Sequence, residues 1–331
     1  MANGKVKYFS PRTIISFIAG VIILILIFRN QNLNQLFSAL KQADFKWIIF
    51  GKLFTLSAHY LRALRWNIFF RTIKKMHSVK VLFSGIILGY FFNLLIPRAG
   101  ELVKCSYVNK KENISFGKIM GTLGAERVID FISLWVLVLV VLTFQLDNIL
   151  KFIETKIHIS INIYWTLVVA TVFLLMSIFV LVMVKKYKHL SWIKKILLFI
   201  DQLKQGFMAI LKIDGKSQIQ FIVLTIFIWT GYAANIYFTF KGIEYTEQIS
   251  FLDSFFVLVF SGFSMLAPIQ GGIGAYHWMV TQALILLGLT YDSGLISATI
   301  LHASNYLFML IVGILFLLAE PLKITKFQQQ Q

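Results

Sequence analysis

The chain has 331 residues, of which 58% are hydrophobic and 14% charged, with a formal net charge of +18 and a mean hydropathy of +0.77. So little polar surface cannot cover the apolar bulk of an ordinary soluble domain, and the composition predicts an integral membrane protein. The positive excess does not indicate nucleic acid, because it is sorted by position along the chain. The single Cys105 leaves no internal disulfide and no cysteine-based metal site.

The first apolar span covers residues 11–28, behind Lys5, Lys7 and Arg12. With no small-residue cleavage site after Phe28, it reads as a retained helix rather than a secretory signal. Leu33, Leu36, Phe37 and Leu40 recur at helical spacing among polar residues, as in a short helix lying in the outer interface. The second span, 47–70, leads into the basic segment 71–80. Residues 81–103 are apolar but flanked by basic segments at both ends, and one crossing takes about 20 residues, so two cannot fit. A hairpin that enters from the inside, turns near Pro97 and leaves on the same side satisfies both length and charge. Residues 119–144 then cross outward and 161–184 return. In 185–216, Trp192, Ile193, Ile196, Leu197, Ile200, Leu203 and Phe207 share a helical face opposite lysines, which predicts a cytoplasmic amphipathic linker. Residues 221–240 cross outward. Residues 251–288 form a second interrupted pair around Pro268, flanked by Glu244, Glu247 and Asp292, and dip in from outside; 295–319 finish inward.

With the spans so placed, 22 Lys and Arg fall in one alternating set of segments. Six fall in the other: Arg29, Lys41, Lys46, Lys151, Lys156 and Lys241. This asymmetry is the positive-inside signature and puts both termini in the cytoplasm. The predicted fold is an all-α integral membrane protein, one polytopic domain over 1–331, with six full spans and two re-entrant or broken helical hairpins. Its first half is 11–144 with the hairpin at 81–103, its linker 185–216, and its second half 217–319 with the hairpin at 251–288. Hairpins opening to opposite faces are the arrangement of an inverted-topology repeat. Anionic lipid headgroups are expected partners of the basic cytoplasmic loops, and nucleic acid is not.

Helix-breaking residues inside apolar segments mark the candidate site. Ile96-Pro97-Arg98-Ala99-Gly100-Glu101 and Pro268-Ile269-Gln270-Gly271-Gly272-Ile273-Gly274 interrupt the two halves, and matched interruptions point to a transporter-type binding site. A half-helix beginning after Pro97 offers unpaired N–H groups beside Arg98, a site for phosphate or carboxylate. Gly271, Gly272 and Gly274 allow a second half-helix start to approach the same ligand. The alternative is that both sequences are plain loops between short helices. In the second span, Lys52, His59, Arg62 and Arg65 fall on about a third of the helix circumference. This is either a binding stripe or, for Lys52 and Arg65, snorkelling toward the membrane faces. Glu126, Arg127 and Asp130 form either a self-neutralising cluster or a gating and charge-balancing element for Arg98 and Arg62. His277 and His302 are candidate titrating groups or packed, hydrogen-bonded histidines. No Walker loop, HExxH, CxxC or GxSxG motif is present and the histidines lack metal-ligand spacing, so no cofactor, no metal site and no ATP-driven cycle are expected.

Three elements carry a resemblance: Asn93-Leu94-Leu95-Ile96-Pro97-Arg98-Ala99-Gly100-Glu101, Gly124-Ala125-Glu126-Arg127-Val128-Ile129-Asp130, and Pro268 with Gly271-Gly272-Ile273-Gly274. The chain resembles the flippase-like transmembrane domain family, named for the membrane portion of lysylphosphatidylglycerol synthase, over nearly its whole length. The resemblance implies a multi-pass protein of the bacterial inner membrane that moves a lipid between leaflets, in some members an aminoacylated phosphatidylglycerol. No soluble aminoacyl-transferase domain follows, so lysyl transfer is not expected. Gln270 stands where relatives often have another proline, and His277 where they often have a glutamate. The favoured expectation is a translocase for a lipid with a phosphate-containing headgroup, held by Arg62, Arg65, Pro97, Arg98, Gly100, Glu101, Pro268, Gly271, Gly272 and Gly274. A membrane enzyme of lipid or glycan-lipid modification, using Glu101, Glu126 or Asp130 as a base, is the alternative, as is an accessory subunit. A separate lipid-modifying enzyme or a second copy of the chain are the protein partners considered.

Overall fold

The computed structural model describes residues 25, 29, 33–71, 78–96, 99–152, 190, 213–265 and 270–319. Expectations for the first span, for 161–184, for the linker at 185–216 apart from its last residues, and for Pro97, Arg98 and Pro268 lie outside the described residues. Within them the chain is all helical. The helices are α1 (Leu33–Gln42), α2 (Phe45–Arg71), α3 (Val79–Leu95), α4 (Ala99–Glu112), α5 (Phe116–Phe152), α6 (Gly215–Lys241), α7 (Phe251–Ser264), α8 (Ala275–Leu286) and α9 (Tyr291–Ala319). Single 3-10 turns occur at Glu244–Thr246 and Gln270–Gly272.

Three helices are long and apolar enough to cross a bilayer: Phe116–Leu146 within α5, Gly215–Lys241 and Tyr291–Ala319. At 1.5 Å per residue, the 27 residues of α2 also span about 40 Å. Large apolar side chains stand exposed along these helices, including Leu139, Phe144, Ile222, Phe227 and Leu318. Lipid contact explains such apolar girdles, which are rare on soluble surfaces. Asp214 caps the start of α6, accepting from the Ser217 backbone N–H at 3.0 Å. Hydrogen bonds from Ser217 hold its carboxyl below the ordinary carboxylate range.

The chain divides into two compact units, Met1–Met120 with Ile219–Gln331, and Gly121–Gln218. In the first, α2 pairs with α3, α3 with α4 and α9, α7 with α8, and α8 with α9. Small residues permit the closest approaches, as expected where lipid tails are as apolar as the side chains and packing itself drives association. A Cβ on Gly51 would stand 3.0 Å from the Asn235 carbonyl, and one on Gly231 3.2 Å from the Ala58 Cβ, which sets α2 tightly against α6. Gly85 and Gly89, spaced as in a GxxxG seam, face α4. A Cβ on Gly100 would overlap the Gly89 carbonyl.

The segment after residue 103, expected as a cytoplasmic basic loop, is instead a packed helix. α4 continues to Glu112 with Lys104, Cys105, Tyr107 and Val108 buried, and only 113–115 separate it from α5. Lys110 and Lys111 are exposed near the helix end, as lysines of a basic loop would be, whereas Lys104 points inward.

Candidate functional site

The first break follows from proline chemistry. Ile96, immediately before Pro97, is extended at φ −135° and ψ 120°, the conformation to which a residue preceding proline is restricted. Asn93 then reaches across the break: its Oδ1 accepts from the Gly100 N–H at 2.8 Å, satisfying one of the unpaired donors of the α4 start. Gly100 is thus explained by helix contact as well as capping. Glu101 is half-buried in the first turn of α4.

The second break is built on left-handed backbone. Gly271, Gly272 and Gly274 have φ of 62°, 68° and 85°, values that favour glycine because a Cβ would collide with the following carbonyl. Gly272 and Gly274 are buried and Gly271 is half-buried. The Gly274 N–H donates to His277 Nδ1 at 3.3 Å. His302 Nε2–H donates to the Gly271 carbonyl at 3.0 Å, with the two imidazoles 4.8 Å apart. Both histidines therefore hold backbone of the break.

Tyr306 joins the two breaks. Its hydroxyl donates to the Leu94 carbonyl at 2.9 Å, in the last turn of α3, and its ring lies 3.3 Å from where a Gly271 Cβ would be. The 3-10 turn Gln270–Gly272 packs against α3. One helix, α9, thereby carries His302 and Tyr306 one turn apart and ties both interruptions together.

The basic side chains of α2 all point inward. Lys52, His59, Arg62 and Arg65 are 3%, 4%, 7% and 0% exposed, so none snorkels out of the protein. Lys52 Nζ donates to Asn235 Oδ1 (2.9 Å), Thr239 Oγ1 (3.1 Å) and Asn305 Oδ1 (2.6 Å), the full donor capacity of an ammonium. Arg62 donates to the Tyr90 hydroxyl at 2.7 Å. Arg65 donates to Thr225 Oγ1 at 3.2 Å and lies over the Phe221 ring. In the other unit, Glu126 is buried, Arg127 exposed and Asp130 half-buried on α5. No metal-binding group of His, Cys, Asp and Glu is present among the described residues.

Comparison with known proteins identifies the family. The model of the lysylphosphatidylglycerol synthase TM region matches residues 13–313, across both breaks and every helix from α1 to most of α9. The chain belongs to that family. The UPF0104 membrane protein PH1989 of Pyrococcus horikoshii is 26% identical over 324 residues, covering 91% of this chain and 95% of that protein. No solved structure matches significantly. The protein is therefore a multi-pass member of the lysylphosphatidylglycerol synthase TM family.

Sequence reading of this member missed Tyr306, Tyr90, Lys104 and the amides of Asn235 and Asn305, and gave Asn93 no role of its own beyond the motif it opens. The asparagines carried a usable signal, since side-chain amides inside apolar spans are commonly interhelical glue. Tyrosines in apolar helices gave no comparable cue.

Proposed function

We propose that this protein is a lipid translocase that moves a lipid with a phosphate-containing headgroup between the leaflets of the bacterial inner membrane, with both termini cytoplasmic. The meeting of the two helix breaks at Tyr306 carries this reading. Interrupted helices inside a membrane leave backbone donors and acceptors that need a partner or a polar cavity, and paired interruptions suit a bound polar headgroup. In this reading the α3–α4 and α7–α8 pairs are hairpins opening to opposite faces, related as inverted repeats. Arg98, Arg62, Arg65 and the half-helix starts at Gly100 and Gly274 attract the phosphate, while Glu126, Arg127 and Asp130 balance charge. The acyl chains remain in lipid, so only the headgroup needs a polar route. The family description names a synthase of an aminoacylated anionic phospholipid, which favours a phospholipid as cargo.

Leaflet exchange of fluorescent phospholipids in vesicles reconstituted with the full chain tests the reading. Exchange faster than in protein-free vesicles is expected, and Arg98→Ala should slow it more than Lys188→Ala. No acceleration for any phospholipid or polyprenyl-phosphate headgroup overturns translocation, and equal effects of the two substitutions overturn the assignment of Arg98.

A further inference from the structure

Lys52 holds a positive charge inside a long helix of the first unit with no carboxylate among its partners. Its side chain is 3% exposed and donates to Asn235 Oδ1 at 2.9 Å, Thr239 Oγ1 at 3.1 Å and Asn305 Oδ1 at 2.6 Å. These three neutral oxygens match the three donors of an ammonium, and among the described residues no other bond or ion pair reaches it. The Asn235 amide donates in turn to Asn305 Oδ1 at 3.2 Å. One ammonium therefore ties α2 to both α6 and α9. The fit has little slack, since a Cβ on Gly51 would stand 3.0 Å from the Asn235 carbonyl and 3.3 Å from Thr239 Oγ1.

The ionisable groups on the surrounding elements are engaged elsewhere. His59, about two turns along α2, meets the Tyr232 hydroxyl of α6 through Nδ1 at 3.4 Å, and Arg62 donates to Tyr90 of α3. On α9, His302 bonds the Gly271 carbonyl and Tyr306 the Leu94 carbonyl. Lys241, at the end of α6, donates to the Glu247 carbonyl. Asp44, Lys46, Glu244, Glu247 and Asp292 are exposed. Lys104, also buried, is held by an aromatic face instead: its Nζ lies 3.9 Å from the Trp66 ring centroid. Its stem passes α3 where Gly89 has no side chain, and a Cβ there would lie 3.1 Å from the Lys104 Cβ.

We infer that Lys52 is a proton-dependent latch that fixes α9 to α2. A buried lysine, unlike an arginine, gives up its proton readily, and the neutral amine has two N–H donors and one lone pair. Loss of the proton to water leaves one of the three oxygens facing that lone pair and removes charge assistance from the other two bonds. Asn305 directly precedes Tyr306, so the residue held by the latch adjoins the one that joins the two helix breaks. With the proton on, α9 is fixed and the breaks stay joined. With it off, α9 moves and carries His302 and Tyr306 with it, a shift between two populations set by proton binding. The inference rests on the translocase reading only for its consequence, that lipid movement follows pH; the latch itself is a property of the three helices.

Spin labels at Lys46→Cys on α2 and Leu318→Cys on α9, both exposed, report the separation of the two helices in the full-length protein carrying Cys105→Ser. Pulsed electron paramagnetic resonance is recorded from about pH 6 to about pH 9.5. A second distance is expected to grow in as the pH rises. Lys52→Arg, which keeps its charge, should hold the low-pH distance throughout, and Lys52→Met the high-pH distance throughout. Asn305→Asp, which sets a carboxylate beside the ammonium, should move the transition upward by about one pH unit or more, and it serves if Lys52→Met fails to fold. A single distance across the whole range with Lys52 intact overturns the latch, as does a transition that persists in either Lys52 variant. Leaflet exchange in reconstituted vesicles should rise severalfold through the same transition, and exchange that stays constant through it overturns the coupling. A distance change with no exchange at any pH leaves the latch standing and removes translocation, whereas exchange with a fixed distance does the reverse.

Discussion

At the residue scale, the second break depends on a backbone that few side chains tolerate and on contacts made by one tyrosine. Gly271 sits at φ 62° with the Tyr306 ring beside it, so Gly271→Ala introduces left-handed strain of about 1–2 kcal/mol and presses on that ring. Tyr306→Phe should cost about 1 kcal/mol by removing the hydrogen bond to the Leu94 carbonyl. Thermal unfolding in detergent is expected to rank both below the parent protein. A Gly271→Ala protein as stable as the parent would contradict the left-handed backbone at that position.

At the element scale, α3 and α4 are held by the absence of side chains. Gly85, Gly89 and Gly100 bring the two backbones together, and a methyl group at Gly100 meets a backbone carbonyl, which cannot swing aside as a long side chain does. Gly100→Ala is expected to part the helices, destabilise the protein by about 1–3 kcal/mol and shift Lys104 from Trp66. Tryptophan emission, checked against Trp66→Phe to isolate this ring, should change with the substitution. Unchanged emission and stability would contradict the close seam. The length of the apolar stretches and the charges between them made most of these helices legible in advance. It failed for α4, because a half-buried amphipathic helix rich in lysine has the same composition as a basic loop, and only its packing against α3 distinguishes them.

At the scale of the whole molecule, charge distribution governs orientation in the membrane. If the alternating bias of Lys and Arg operates as the positive-inside rule requires, Asp44 and Glu247, both exposed, face outward and Lys110 faces inward. Single cysteines placed at these positions, in a background with the buried Cys105 replaced by Ser, should react with an impermeant maleimide from outside at Asp44→Cys and Glu247→Cys. Lys110→Cys should react only after the membrane is opened. Reversed labelling would invert the topology, and labelling of all three in intact cells would refute the arrangement.

Composition and hydropathy by themselves determined that this protein is a helical membrane protein, because a chain so poor in polar surface has no other stable partition. Pro97 and the glycines after Pro268 likewise announced the breaks, since proline and glycine impose their effects locally. Which groups those breaks meet was decided by tertiary structure alone. Tyr306 reaches Leu94 across 212 positions of sequence, and Lys52 reaches Asn235 and Asn305 across 183 and 253. Such pairings depend on how helices cross, and residue spacing along one helix carries no record of its neighbour. The same limit applies to Lys104, whose inward path exists because Gly89 on another helix has no side chain.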